Sequence, residues 1–352
     1  MTISSPVQER IQAVAEDINL GRIESSYKMA TKTLDILTQH VRSNSWTTAR
    51  ELIEDMKDMC VTLKEADASE TVARNMILRA LKIVRDEYSR LSQTDLQETV
   101  FEGLEIMDAM ITEQPEDDYE KSLPDLRESI LGFFEEWEAE IDVSAENIAK
   151  EALKHVINDE VILTLGSSKT VEAFLLKAAA KRSFQVIVAE AAPFCHGHDM
   201  AISLSAKGIN TTVIPDSAIF TVLSRVTKVI IGTQSVTANG GLKAVSGSYG
   251  LALAAKHHSV PLIVLAAMFK YTPEFLVSHD QSTFNRVVSP ESVLPVTETD
   301  LINRVSVVNP VFDYVPPELV TVLIAGEKEG HSPSYVYHKL STLYHRRDYL
   351  EV

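Results

Sequence analysis

Apolar residues in the second half of the chain come in short unbroken runs separated by amphipathic stretches. This pattern predicts strands buried on both faces, alternating with helices. The runs occupy 161–166, 184–190, 211–215, 228–232 and 261–267. Between them, helical spacing predicts helices over 170–181, 199–207, 218–226 and 248–258. Asp216 and Ser217 offer an N-cap to the third of these helices, and Gly208 a C-terminal cap to the second. Such regular alternation, with right-handed crossovers, implies a doubly wound (Rossmann-like) α/β domain with a parallel sheet.

The first part of the chain has helical periodicity instead. Ser5-Pro6-Val7-Gln8 reads as a capping box with proline at the first helical position, and Ile11, Val14, Ala15 and Ile18 follow on one face. Apolar stripes through Leu34, Leu37 and Val41, through Leu52 to Leu63, and through Val72 to Val84 continue the pattern. Residues 92–124 are acidic, weakly patterned and interrupted by Pro115 and Pro124, which predicts a mobile insertion. Helices are expected again over 125–137 and, behind Ser144 as N-cap, over 145–157. The expected organisation is therefore an all-α domain over 1–158 followed by the α/β domain over 159–352. Beyond the fifth strand, a strand is expected at 305–308. A proline-punctuated loop at 309–317 is expected to cross the ligand end of the sheet, with a last strand or helix at 319–324 and a helix at 334–344.

Composition narrows the class. The chain is 45% hydrophobic over 352 residues with no run long enough to span a membrane, and no signal-peptide pattern opens it, so a soluble protein is expected. Cys60 and Cys195 fall in different expected domains and make no disulfide framework, which fits a reducing, cytosolic compartment. A formal charge of −17 argues against a nucleic-acid surface. Asp and Glu outnumber Lys and Arg by 16 to 3 between residues 101 and 150, so 13 of the 17 excess charges lie there. That stretch either steers a basic protein partner or is a solvated face.

In a doubly wound sheet the ligand sits outside the carboxyl ends of the strands. The candidates there are Ser167, Ser168, the 191–198 loop with His196, Asp216, and 234–241 with Gln234, Asn239 and Gly240. No Gly-x-Gly-x-x-Gly follows a strand and no phosphate-loop Gly-Lys-Ser/Thr occurs, so nucleotide binding lacks its usual support. Gly240, Gly241, Gly247 and Gly250 either cradle a phosphate or serve a loop. Cys195, His196, His198 and Asp199 invite a zinc site, but a short Cys-His-x-His string does not by itself wrap one ion. No metal or cofactor is expected. His257 and His258 end a helix, where an imidazolium favours the dipole.

Four motifs in order, Ile214 to Phe220 (IPDSAIF), Thr237 to Gly241 (TANGG), Ser248 to Val264 and Asn309 to Val320 (NPVFDYVPPELV), resemble the family that joins aldose-ketose sugar-phosphate isomerases to three regulatory subunits of eukaryotic translation initiation factor 2B. Within it, TVEAFLLKAA, EAAPFCHGHDMA, LAAMFKYTPEF and PSYVYHKLSTLYH are most similar to the beta-subunit branch. The resemblance implies a non-catalytic regulatory subunit of a guanine-nucleotide exchange factor that recharges translation initiation factor 2 with GTP and responds to its phosphorylation. Implied partners are the alpha, gamma, delta and epsilon subunits and the substrate factor, chiefly its alpha subunit. The alternative within the family is a sugar-phosphate isomerase, or a relic pocket holding a sugar phosphate or nucleotide as effector. Against catalysis, the family's cysteine falls on Gly166 or Ser167, its aspartate on Gln234, its phosphate-binding arginine on Ala192 and its loop lysine on Val245.

Two sets of interaction residues complete the expectations. Glu135, Glu136 and Glu138 are candidates for binding the substrate factor. Period-two alternation puts Gln185 and Ile187 on one face of the second strand, and Thr212 and Ile214 on one face of the third. The resemblance implies that these four, with Asp159, line a groove at a subunit interface that accepts a small molecule. The alternative is that Ile187 and Ile214 only pack under the domain's own helices.

Overall fold

The computed structural model describes residues 5–19, 25–43, 45–94, 119–275, 284–297, 304–327 and 329–351. Most of the expected acidic insertion, residues 95–118, lies outside the described residues. The chain divides into two units, one of residues 1–139 and 343–352, the other of residues 140–342.

In the first unit, α1 (Ser5–Asn19), α2 (Ser26–Arg42), α3 (Ala49–Ala66) and α4 (Val72–Thr94) bury the stripes expected from the sequence. Ile11, Val14, Leu37, Leu52, Met56, Met76 and Val84 are all 3% exposed or less. Helix α3 starts at a capping box, in which Thr48 Oγ1 accepts the Glu51 amide and Glu51 accepts the Thr48 amide.

Helix α5 (Leu126–Lys150) runs unbroken where two helices were expected. Ser144 is not an N-cap. Its Oγ donates to the Ile141 carbonyl one turn back, as an interior helical serine can, and no Gly or Pro interrupts the helix near it. The boundary between units thus falls within α5, not at the 158/159 junction expected from the sequence. The last residues join the first unit because α12 (Arg346–Glu351) brings Asp348 onto α4, where Arg85 grips it with two hydrogen bonds of 2.6 and 3.0 Å.

The second unit contains α6 (Ala152–His155), β1 (Glu160–Leu165), α7 (Lys169–Ala179), β2 (Phe184–Ala189), α8 (Gly197–Ala206) and β3 (Asn210–Ile214). It continues with α9 (Ile219–Val222), β4 (Lys228–Gly232), β5 (Ser235–Val236), β6 (Leu242–Val245), α10 (Ser248–His257) and β7 (Leu262–Leu265). The last elements are β8 (Phe312–Val315), β9 (Val322–Ile324) and α11 (Val336–Leu343). Six strands form one parallel sheet in the order β3-β2-β1-β4-β7-β9. The order reverses between β1 and β4, which makes their carboxyl ends the switch point. Ile162, Val186, Val229 and Val264 are fully buried, as strands covered on both faces require. Among the described residues no helix is long and apolar enough to cross a membrane.

Three expectations fail in this unit. Residues 305–308 form no strand, and Val305 and Val308 stay exposed because no partner strand meets them among the described residues. Part of the expected loop at 309–317 is instead β8, which pairs antiparallel with β6 in a second sheet of order β5-β6-β8. The helix expected over 218–226 is a single turn, α9, between two 3-10 turns.

Candidate functional site

At the switch point the chain leaves β1 through Gly166, whose φ of +63° lets the backbone turn sharply. Ser167 is exposed, whereas Ser168 turns inward and caps α7 by accepting the Val171 amide. Across the crevice, Gly232 ends β4 so close to this serine that a β-carbon would lie 2.6 Å from Ser168 Oγ. Gln234 is half-buried two residues further on, its amide donating to the Lys243 carbonyl.

A second helix N-terminus, that of α10, is likewise already engaged. The amides of Gly247 and Tyr249 both donate to Asp313 Oδ2, at 2.8 and 3.2 Å, so a carboxylate from β8 occupies the position an anionic ligand would take. The sequence offered no such pairing, because 64 residues separate Asp313 from Tyr249. Two cations that the sequence reading passed over also lie nearby. Lys270 Nζ donates to the Thr233 carbonyl at 2.7 Å, and buried Lys243 lies over the rings of Phe312 and Phe284 at 4.6 and 5.2 Å.

The remaining strand-end candidates have structural partners. Asp216 does not cap its helix. Its two oxygens accept the amides of Ala191 and Ala192 at 3.0 and 2.7 Å and so tether the loop after β2. Its carboxylate is drawn there because Ala191, at φ +57°, presents two successive amides to one acceptor. Asn239 and Gly240 form the β5–β6 turn. Asn239 Oδ1 accepts from Thr237 Oγ1 and the Gly241 amide, its Nδ2 donates to the Tyr314 hydroxyl, and Gly240, at φ +82°, passes within 2.4 Å of the Pro333 carbonyl, measured from a built β-carbon. His196 is exposed on the β2–α8 loop and stacks on Phe194, with centroids 5.8 Å apart.

A cavity of about 570 Å³ lies in the segment after β9, lined by Glu327, His331, Tyr335 and Lys339 among others. Burial lowers the pKa of His331, whose Nε2 meets the Tyr271 hydroxyl at 3.0 Å, and the same cause raises that of Tyr271. Burial also lowers His155 and His345. A histidine lowered in the fold is neutral there, while in the unfolded chain it takes a proton near pH 6.5. Stability is therefore complete above that pH and falls as the pH drops below it. Urea midpoints are expected to be level from pH 8 to 7, then to decline towards pH 5, less steeply in His331→Gln. A midpoint level down to pH 5 would contradict this.

The interaction candidates lie elsewhere. Glu135, Glu136 and Glu138 are all exposed on α5, outside the stripe that buries Ile130, Phe134 and Trp137. On the large sheet, parallel register sets Ile187 beside Thr212 and Ala189 beside Ile214, so these side chains share one face with Gln185. Asp159, Gln185 and Thr212 are exposed, whereas Ile187 and Ile214 are 3% and 8% exposed. Asp159 precedes β1, and its amide donates to the Ser183 carbonyl ahead of β2. This group therefore begins at the amino ends of the strands, away from the switch-point crevice.

Comparison with known proteins gives a consistent result. Residues 22–327 match the model of the initiation factor 2 subunit family. The chain is 37% identical to translation initiation factor eIF2B subunit beta of Dictyostelium discoideum, over 94% of this chain and 93% of that one. It superposes on the crystal structure of eIF2B beta from Chaetomium thermophilum with a TM-score of 0.74 at 26% identity, covering 97% of this chain and 94% of that one. It also superposes on a chain of the tetrameric eIF2B-beta2-delta2 complex from C. thermophilum, with a TM-score of 0.70 at 25% identity and 95% of each chain covered.

Proposed function

Because the chain belongs to the initiation factor 2 subunit family, we propose that it is a non-catalytic regulatory subunit, of the beta type, of the eIF2B complex that exchanges GDP for GTP on translation initiation factor 2. The observation that carries this reading is that likeness to eIF2B beta chains runs through both units rather than through the α/β unit alone. The switch point supports it. Proton shuttling by an isomerase needs a nucleophile or acid/base there, and phosphate needs cations. The strand ends offer Gly166, Ser167 and Gln234, Ala192 and Val245 stand where the family's cations belong, and the two lysines nearby are already engaged, Lys270 with the Thr233 carbonyl and Lys243 with the rings of Phe312 and Phe284.

On this reading the subunit works in the cytosol and assembles with the alpha, gamma, delta and epsilon subunits. Its exposed Asp159, Gln185 and Thr212, with Ile187 and Ile214 beneath, border a groove against a neighbouring subunit that accepts a small molecule. The substrate factor, through its alpha subunit, meets the helical unit, where its phosphorylation is sensed. The supporting feature is the acidic outer face of α5 at Glu135, Glu136 and Glu138. Exposed charges of this kind act mainly on association rate and salt dependence. Charge reversal of all three glutamates, within the assembled complex, is expected to slow association with the substrate factor and flatten its salt dependence. Unchanged association across salt would remove this face from the contact.

A further inference from the structure

The loop between β2 and α8 is held with more care than a connection requires. Asp216 tethers its start, the Cys195 amide donates to the Ala191 carbonyl, and the Gly197 amide donates to the Glu190 carbonyl, each of the latter two at 3.0 Å. Gly197 is required where it stands, since a β-carbon there would lie 2.4 Å from the Ala189 carbonyl oxygen. Cys195 itself adopts a φ of +55°, a conformation that a side-chain-bearing residue rarely takes without compensation.

This arrangement gathers three side chains that are not adjacent in sequence. Donor atoms of Glu190, Cys195 and His198 all lie within 4.8 Å of one another, and His198 Nε2 stands 3.5 Å from Glu190 Oε2. Ligand atoms around a tetrahedral zinc, at metal distances of about 2.0–2.3 Å, are roughly 3.3–3.6 Å apart. The His–Glu pair already has that spacing, and the thiol, within 4.8 Å of both, needs to close by no more than about 1.5 Å. We propose that Glu190, Cys195 and His198 form a zinc site.

A thiolate, an imidazole and a carboxylate form a donor set suited to zinc rather than to magnesium or calcium, which prefer oxygen. Binding releases the Cys195 thiol proton to solvent, and water fills the fourth position, since the His198 side chain is 53% exposed and the site opens outward. The set differs from the one the sequence suggests. His196 is turned away onto Phe194, and Glu190, which a string search ignores, supplies the third ligand.

The test uses the full chain, stripped with chelator and titrated with zinc against a chromophoric competitor. One zinc per chain is expected. Cys195→Ser and His198→Ala should each weaken binding by more than the 10–100-fold that outer-shell changes cost, whereas His196→Ala should leave it unchanged. A second readout needs no variant: zinc should slow alkylation of Cys195, mapped by peptide mass, without altering that of buried Cys60. Failure of the unmodified chain to bind zinc at micromolar concentration, binding unaffected by loss of Cys195 and His198, or alkylation of Cys195 indifferent to zinc would each overturn the proposal. None of these measurements depends on the chain's partners, so their outcome leaves the assignment as a regulatory subunit untouched.

Discussion

Asp348→Ala is expected to lower the unfolding free energy of the helical unit by about 3–5 kcal/mol, the usual cost of removing one member of a buried ion pair. Asp348 is fully buried, and Arg85 is 7% exposed with both donors of its fork on the carboxylate. Truncating the aspartate leaves a guanidinium that solvent cannot reach, although Tyr119 still offers its ring face 5.1 Å away. Replacing both partners with apolar residues, Arg85→Met with Asp348→Leu, should recover most of the loss because no orphaned charge remains. Chemical denaturation of the three variants checks this. Equal stability of Asp348→Ala and the unmodified chain would mean that α12 does not dock through this pair.

Ile187→Asp is expected to prevent the α/β unit from folding, while Thr212→Arg leaves it folded and blocks assembly. The two residues are register partners on one sheet face, so their chemistry is separated by depth alone. Ile187 is 3% exposed, and an unpaired carboxylate there costs more than the 4–5 kcal/mol that marks exceptional substitutions. Thr212 is exposed on β3, at one edge of the sheet, where a change usually costs within about 0.5 kcal/mol. Circular dichroism with sedimentation of each variant, alone and with partner subunits, separates the outcomes. Normal assembly of Thr212→Arg would remove β3 from the interface.

The architecture was legible because both units depend on local periodicity. The positions with period 3.6 in α1–α4 and the solid apolar runs of β1, β2, β4 and β7 are the positions buried in the structure. The small second sheet was not legible. Strand β8 carries Asp313 and Tyr314 and has no strong apolar pattern of its own, and it becomes a strand only because β6 supplies its hydrogen bonds. Helix α12 and its Asp348 were missed for a related reason: a charged residue near a chain end reads as solvated until a partner 263 residues away appears.

At the candidate site, the sequence pointed to the strand ends, but it could not tell a group awaiting a ligand from one already satisfied. Asp216 reads as a candidate carboxylate, yet both its oxygens accept backbone amides, just as Oδ2 of Asp313, which the sequence did not single out, accepts two. Conversely Glu190 looked like the end of a strand, and only the left-handed turns at Ala191 and Cys195 bring it beside Cys195 and His198.

The most direct test of the central claim is the mass of the intact assembly recovered by affinity purification through this chain under native conditions. The account predicts a hetero-oligomer in which this chain accompanies the other eIF2B subunits, and from which no sugar-phosphate isomerisation can be measured. Recovery of the chain by itself, as a homodimer that turns over a sugar phosphate, would contradict it.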